Sequence, residues 1–503
     1  MKSIECQFAI VGGGFSGTLL AMILKRLGYD VVVIERNCHP RFAIGESLTP
    51  LANHILRVLA ERYDLEWLVP LTRYGEWQQT YPGVTGGIKR GFSYFFHRAG
   101  ERFSATEDHE NELLVAASEN DFLADTHWLR ADVDALFARQ ATAMGVELYE
   151  HSELVSVERD ASRGWRIEWS DPESGDVQLC YCSDWIVDAS GAAGAAASRL
   201  GAKSVTGGFH TRTSSAFTHF IKTPRFEVCL DEIGVDRSDY PFRCDDAAVH
   251  HLVDGGWIWQ IRFCDDRVST GLVRNHLQES VTAELRTNKR HFDRCVARYP
   301  QLERLYSTAE VSRVPGQWFE TGLLQRRLDR VGGDRWVCLP HTFAFIDPLH
   351  STGIAWSLHG VSRLAACFEN KADQNSRTSL IEDYSNSLEH ERRHLDQIVA
   401  AAYYAQSDMS LFHAAVMAYF AAATIAERKV GQWPRHGFLG SDQLDFQTAL
   451  QQIFERVKGT DLAVRADVLA TVKTIRELLQ PFDQVGLFSP AIPRLYSETA
   501  APV

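Results

Sequence analysis

The stretch Gly12-Gly13-Gly14-Phe15-Ser16-Gly17 leaves the N-terminal part of this chain few folds to choose from. It follows an apolar run from Phe8 to Val11 that reads as a short buried strand. It precedes apolar-periodic positions from Leu19 to Leu27 that read as a helix, and Val31 to Ile34 reads as a second buried strand. A strand, helix and strand within roughly 30 residues implies a parallel crossover and an α/β architecture. Gly12 allows the tight turn, Gly14 lets the backbone approach a pyrophosphate, and Gly17 permits close helix–strand packing. Glu35, followed by Arg36, ends the second strand where a ribose hydroxyl would be met. NAD and FAD share this fingerprint, so the glycines alone do not choose between them.

The chain has 503 residues, enough for two or three cooperating lobes at about 150 residues each. A formal net charge of -13, with no Lys/Arg-rich run, argues against a nucleic-acid partner and against an anionic membrane surface. The 10 cysteines are scattered, Cys180 and Cys182 being the only close pair, which is neither a disulfide framework nor a zinc pattern. A cytoplasmic location is the default expectation. The apolar stretch from Lys2 to Leu24 imitates a signal peptide, but the glycines that break it belong to the nucleotide fingerprint. Phe412 to Ala426 is apolar but too short to span a bilayer.

Further along, a helix is expected over Leu51 to Leu59, strand and loop over Tyr74 to Phe96, and helical spacing from His127 to Met144. Val146 to Tyr149, Leu154 to Val157 and Trp185 to Ala189 read as strands. Residues 205–330 alternate and suggest a sheet roofing a cavity. From about 355 the pattern is mainly helical, ending in an irregular tail with Pro490 and Pro493.

A second motif is Phe345-Ile346-Asp347-Pro348-Leu349-His350-Ser351-Thr352-Gly353-Ile354. An acid and a proline lead into a Ser-Thr-Gly turn whose consecutive N–H groups would form an anion-binding concavity. An amphipathic run follows, so these groups would sit at a helix N-terminus, where negative charge is favoured.

Gly45-Glu46-Ser47-Leu48-Thr49-Pro50 and the strand Trp185 to Asp188 with its Ala189-Ser190-Gly191 turn resemble FAD-contacting segments of the flavoprotein monooxygenases, which favours FAD. Narrower signatures are Lys89-Arg90-Gly91 before an aromatic strand, Gly256-Trp257-Ile258-Trp259, and the loop from Asp347 to Ile354. With them the chain, to about residue 365, resembles the flavin-dependent halogenases of that superfamily. The resemblance implies an α/β GxGxxG FAD-binding three-layer fold with a mixed-sheet substrate domain and a helical C-terminal region. The expected division is 1–204 for FAD, completed by 300–365, then 205–330 for the substrate-side sheet and 366–503 for the helices.

The resemblance also implies a chemistry. Flavin hydroperoxide is attacked by chloride or bromide to give hypohalous acid, and a lysine directs the halogen onto an electron-rich ring. Lys89 matches that lysine. Its ammonium would hydrogen-bond and polarise hypohalous acid, whereas a neutral amine would carry the halogen as a haloamine; burial favours the amine. Gly12, Gly14, Phe15, Ser16, Gly17, Glu35, Arg36, Ser47, Asp188, Asp347, Pro348, Gly353 and Ile354 would bind FAD, and Ser351, Thr352 and Gly353 the halide. Arg130 resembles a flavin-contacting arginine, its alternative being an ion pair with Asp132 or Asp134.

Two departures shape the expectation. Gln260-Ile261 is followed by Arg262 where the family motif continues to a proline, which leaves aromatic hydroxylation, or a flavin-binding protein without turnover, as alternatives. His350 stands where halogenases of free tryptophan carry a glutamate, which points to phenolic or similar substrates. With no second nucleotide fingerprint, reduced FAD would come from a separate flavin reductase. The substrate would arrive free or tethered to a carrier protein, and a homodimer is the working expectation for assembly. His390-Glu391-Arg392-Arg393-His394 satisfies a zinc-protease spacing, but its charged neighbours favour a helix surface and no metal is expected.

Overall fold

The strand Ile4–Val11 runs parallel to Val31–Ile34 on one side and to Val177–Asp188 on the other. Residues 3–277, 285–369, 374–432, 436–489 and 494–499 are described by this computed structural model; Pro490 and Pro493 lie outside them. Glu147–Tyr149 extends the sheet beyond Val31–Ile34, and Trp336–Cys338 extends it beyond Val177–Asp188, all in parallel. Gly164–Ser170 pairs antiparallel with the long Val177–Asp188 strand, and Glu153–Asp160 pairs antiparallel with Gly164–Ser170. All four residues of Val31–Ile34 are buried, as a strand covered by helices on both faces requires. The helix Phe15–Arg26 packs against Arg130–Ala143 and Thr352–Glu369. Residues near 340–369 therefore complete the layer begun at the N-terminus.

The second sheet runs in the order Glu310–Val311, Thr213–Ile221, Val268–Asn275, Gly256–Arg262, Ala248–Val253, Gly91–Phe96, Glu112–Ala116 and Leu495–Tyr496. Its membership differs from the expected division at residue 204. Gly91–Phe96 and Glu112–Ala116 belong to the substrate-side sheet, pairing with Ala248–Val253 and with each other. Leu495–Tyr496 joins the same sheet from the far end of the chain. Such long-range pairings leave no local signature in sequence.

Two further boundaries shift. Tyr74–Thr80 is a helix rather than strand or loop, with Trp77 buried and its indole Nε1 donating to the Val84 carbonyl at 2.8 Å. The expected helix at His127 begins instead at Arg130, because Asp125–Trp128 is held as a strand by Gly86–Lys89. The segment around Ser47 adds to the other edge of that strand: Leu48 N donates to Thr126 O and Trp128 N to Glu46 O.

The C-terminal region supplies the helices Gln374–Ala405, Met409–Glu427, Leu444–Lys458 and Arg465–Leu479. Met409–Glu427 has a mean hydropathy of 1.6 and is long and apolar enough to cross a membrane, yet it is buried within the protein. Its apolar surface covers the aromatic face of the second sheet, where Phe92 meets Tyr419 and Phe420 edge-on. All ten cysteines are free thiols; Cys6 and Cys180 approach only to 3.4 Å between sulfurs.

Candidate active site

A cavity of about 690 Å³ opens between the two sheets. Gly12, Gly14, Phe15, Ser16, Glu35, Arg36, Ser47 and Arg130 line it on the nucleotide side. Asp347, Pro348, Ser351, Thr352, Gly353 and Ile354 line it from the second motif. The two motifs, more than 300 residues apart in sequence, thus share one space. The fingerprint glycines are there for backbone clearance. A Cβ on Gly12, whose φ is +113°, would stand 2.4 Å from Ala189 O, and one on Gly17 would stand 2.1 Å from Gly12 O. Gly17 does not reach the cavity; it lets the helix Phe15–Arg26 pack against the turn. That helix begins at Gly14 with no side-chain cap, so its free N–H groups and positive dipole end face the cavity.

Glu35 is buried, and its carboxylate braces the turn by accepting from Gly13 N at 2.8 Å and Asn37 N at 2.9 Å. Arg130 makes the expected ion pair with Asp134 and lines the cavity. Nε and Nη2 bind Asp134 at 2.9 and 3.0 Å, Nη1 donates to the carbonyls of Ile44 and Gly45, and the guanidinium lies 4.7 Å from the centre of the Phe15 ring. Ser47 presents at the wall a buried hydroxyl without a hydrogen-bond partner among the described residues.

Asp188 is placed differently from expectation. It is fully buried, does not line the cavity, and accepts from the N–H groups of Ser190, Ala196 and Ala197 and from the Ser190 hydroxyl. Its role is to hold the turn whose Ala189, Ser190 and Gly191 form the wall. Burial pushes its pKa up, against these hydrogen bonds.

In the second motif Ser351 adopts φ +53°, an uncommon conformation for a residue with a side chain. Its N–H donates to Pro348 O at 3.0 Å. Ser351 therefore shapes the turn but has no N–H left for a halide. Thr352 and Gly353 open the helix Thr352–Glu369, where no intrahelical acceptor exists for their N–H groups. Asp347 anchors the loop through Thr213 Oγ1 at 2.6 Å, Leu349 N at 2.9 Å and Tyr403 Oη at 2.9 Å. Burial pushes Asp347 up to about 7, opposed by those three donors.

Lys89 lies one layer behind the cavity wall and is fully buried. Its ammonium donates to the carbonyl of Leu48, the neighbour of Ser47, and lies 4.1 Å from the centre of the Phe92 ring. Burial pulls its pKa down from the lysine range, and Asp125 opposes that pull. Around it stand Tyr94 and His250, which the sequence did not single out, and His350, which it did. Tyr94 stacks on His250 at 4.5 Å, and its buried hydroxyl has no hydrogen-bond partner among the described residues. His250 lines the cavity and is joined through Nε2 to Leu349 O at 3.0 Å. His350 lies flat on Tyr419, rings 4.5 Å apart and 3° from parallel, with both ring nitrogens unpartnered among the described residues. Burial lowers His250 and His350 to about 3, so both are neutral imidazoles at ordinary pH.

Residues 205–330 do contribute to the cavity, through Ser215, Phe217, Ala248, Trp257, Trp259 and Ile261. Strand alternation could have flagged Trp257, Trp259 and Ile261 as one face. Arg262, the departure from the family motif, lies off the wall and ties the strand end to Thr223 O and Pro224 O at 2.8 and 2.7 Å. The zinc-like spacing is also structural. His390 and His394 bond through Nε2 to the carbonyls of Ser441 and Leu439.

Comparison with known proteins agrees with this geometry. The family described as FAD dependent oxidoreductase matches residues 7–312. The monodechloroaminopyrrolnitrin halogenase PrnC of Pseudomonas fluorescens is 28% identical over 413 residues, covering 80% of this chain and 69% of that protein. The tetracycline 7-halogenase of Kitasatospora aureofaciens is 27% identical over 69% of this chain and 60% of its own length. Among solved structures, the halogenase PltM in complex with phloroglucinol and FAD matches with a TM-score of 0.83 at 21% identity, covering 98% of this chain and 99% of that one. The cofactor is FAD, and the chain belongs to the FAD dependent oxidoreductase family, in its flavin-dependent halogenase branch.

Proposed function

We propose that this protein is an FAD-dependent halogenase that installs chloride or bromide on a phenolic or other electron-rich aromatic. The observation that carries the reading is Lys89, a lysine buried without solvent contact one layer from the space shared by the two motifs. Burying a lysine is costly, and such a group persists where its chemistry is used. PltM is seen with phloroglucinol, a phenolic ring, which supports the substrate class.

Bound and reduced, FAD supplies the electrons with which dioxygen is activated. The helix start at Phe15 and the braced Gly12–Gly14 turn would hold its pyrophosphate, and Arg130 and Ser47 would fix the dinucleotide laterally. Thr352 and Gly353 would present N–H groups to the halide. Hypohalous acid formed there would reach Lys89 past Ser47 and His250. The ammonium would hydrogen-bond its oxygen and polarise the O–X bond toward the ring. Trp257, Trp259 and Ile261 keep the path apolar, which limits hydrolysis of a reactive oxidant. A separate flavin reductase would deliver reduced FAD.

The test is turnover with reduced FAD, oxygen and chloride or bromide against a panel of phenols, read by mass spectrometry. Halogenated product that disappears in Lys89→Ala while FAD still binds is the expected result. Hydroxylated product that is indifferent to halide would replace this reading with a monooxygenase. Bound FAD with neither product nor hydrogen peroxide would make it a flavin-binding protein.

A further inference from the structure

Lys89 and Asp125 face each other directly across the ladder between Gly86–Lys89 and Asp125–Trp128. Directly opposed residues project to the same face of a sheet, with Cβ atoms about 5 Å apart. Both side chains are buried, at 0% and 4% exposure. Asp125 is fixed from a third element: Asn53, on the helix Pro50–Arg62, donates Nδ2–H to Asp125 Oδ1 at 2.6 Å. Asp125 Oδ2 has no hydrogen-bond partner among the described residues. A buried carboxylate with one free oxygen, directly opposite a buried lysine, is costly unless the two charges offset each other.

The surroundings leave Asp125 alone in that role. On its own strand the next titratable group is His127, and the strand Ala248–Val253 brings His250; burial lowers both to about 3, so neither carries charge at neutral pH. The helix Met409–Glu427 brings Tyr419, whose phenol burial holds protonated. The helix Pro50–Arg62 offers the uncharged Asn53, and the Ser47 segment offers the Leu48 carbonyl, its Glu46 carboxylate lying against His219 at 2.8 Å. Among these groups Asp125 is the one carboxylate whose field reaches Lys89: burial raises Asp125 to about 7 while Lys89 and Asn53 favour its charged form, and in return it favours the ammonium against desolvation.

We propose that Asp125, oriented by Asn53, is a positioning residue that serves as the built-in counter-anion of Lys89 and keeps it an ammonium, so that Lys89 hydrogen-bonds hypohalous acid rather than carrying halogen on a neutral amine. The role in turnover rests on the halogenase reading; the charge pairing does not. In the halogenation step the aromatic carbon forms the C–X bond as the O–X bond breaks. The O–X electron pair stays on oxygen, which takes a proton from the ammonium to leave as water. The ring proton then returns to the Lys89–Asp125 pair, restoring it.

Two measurements test the proposal. The first is a double-mutant cycle on folding, read by thermal and urea unfolding of the FAD-bound protein. Asp125→Asn leaves a buried ammonium uncompensated, so it should destabilise strongly, and adding Lys89→Met should recover most of that loss. If Asp125→Asn alone does not fold, the double variant should. Additive losses, or a double variant no better than Asp125→Asn, would overturn the pairing whatever reaction the protein catalyses. The second is the pH dependence of halogenation. The alkaline limb of the wild type should move to lower pH by roughly one to three units in Asp125→Asn. Asp125→Glu should restore it in part, and FAD binding and oxygen consumption should hold. An unshifted limb in a folded Asp125→Asn would overturn the role in turnover. No halogenated product from the wild type would sink the halogenase reading while leaving the cycle to judge the pair.

Discussion

Tyr403 donates its hydroxyl proton to Asp347 Oδ1 at 2.9 Å and accepts from Trp257 Nε1 at 2.8 Å. One phenol thus connects the long helix Gln374–Ala405 to the second-motif loop and to the substrate-side sheet. Removing the oxygen in Tyr403→Phe would leave a buried indole N–H without an acceptor and Asp347 with one donor fewer. The cost should be about 1–3 kcal/mol in unfolding free energy. Because Asp347 anchors the turn at Ser351, FAD affinity should weaken as well, measured by fluorescence titration. A variant with unchanged stability and unchanged FAD affinity would show that the bridge does not position the loop.

Gly14 and Gly17 belong to the same fingerprint but should respond oppositely to alanine. A methyl at Gly17 would meet the backbone oxygen of Gly12 at 2.1 Å, and that oxygen cannot move without breaking the turn. Gly17→Ala should therefore lower the melting temperature markedly and abolish FAD binding. At Gly14 the nearest atoms are the flexible ends of Arg41 at 3.5 Å, Asp134 at 3.7 Å and Arg130 at 3.8 Å. Gly14→Ala should fold with a loss of about 1 kcal/mol or less, losing FAD affinity because the methyl occupies cofactor space. Equal melting temperatures for the two variants would contradict this division of labour.

What the sequence disclosed follows the range of the interactions involved. The unit from Ile4 to Ile34 was legible because its glycines, apolar runs and closing acid lie within one local crossover. The Asp347–Ile354 turn was legible as a turn opening a helix for the same reason: its proline, its small residues and the apolar run that follows are consecutive in sequence. Asp125 was not, since its importance comes from strand register with Lys89 and from Asn53, 72 residues away. The membership of Gly91–Phe96 in the second sheet was hidden likewise, because its partner Ala248–Val253 is distant in sequence. Ser351 was read as a halide donor from the consecutive N–H groups of its Ser-Thr-Gly turn and from the family resemblance, and only the backbone shows its N–H spent on Pro348. Local chemistry could be read directly; charge partners and sheet membership required the fold.

Acid should destabilise the protein. Burial lowers His127, His250, His341, His350 and His413 to about 3, and His54, His251 and His394 to about 4. In the unfolded chain each titrates near 6.5. Below that value the unfolded state binds protons that the folded state refuses, so stability present above pH 6.5 is lost as pH falls. Buried aspartates pull the other way, Asp125 and Asp347 being raised to about 7. Asp188, Asp245 and Asp396 are also raised, but each accepts backbone N–H bonds that favour the charged form, which leaves the histidines dominant. Urea unfolding at pH 5 should give a free energy lower than at pH 7 by at least about 2 kcal/mol, the effect of one such histidine. Equal or greater stability at pH 5 would refute the histidine account.

Glu391 completes the zinc-like spacing, but it is engaged as a buried hub. It accepts from Trp356 Nε1 and Arg363 Nη1, both at 2.8 Å, and from Phe438 N at 3.2 Å, and it lies 3.1 Å from His359 Nε2. Burial pushes its pKa up, yet His359, Arg363 and Trp356 outweigh that and hold it at about 2. Glu391→Gln removes the anion from four converging donors and leaves Arg363 without its buried partner. The loss should be about 3–5 kcal/mol, the range for breaking a buried ion pair. The flanking histidines spend Nε2 on carbonyl oxygens, at 2.7 Å for His390 and 2.9 Å for His394. Exhaustive treatment with a chelator should therefore leave the melting temperature and FAD binding unchanged. A chelator-sensitive melting temperature, restored by zinc and absent in His394→Asn, would reassign this helix as a metal site and remove the structural explanation for Glu391.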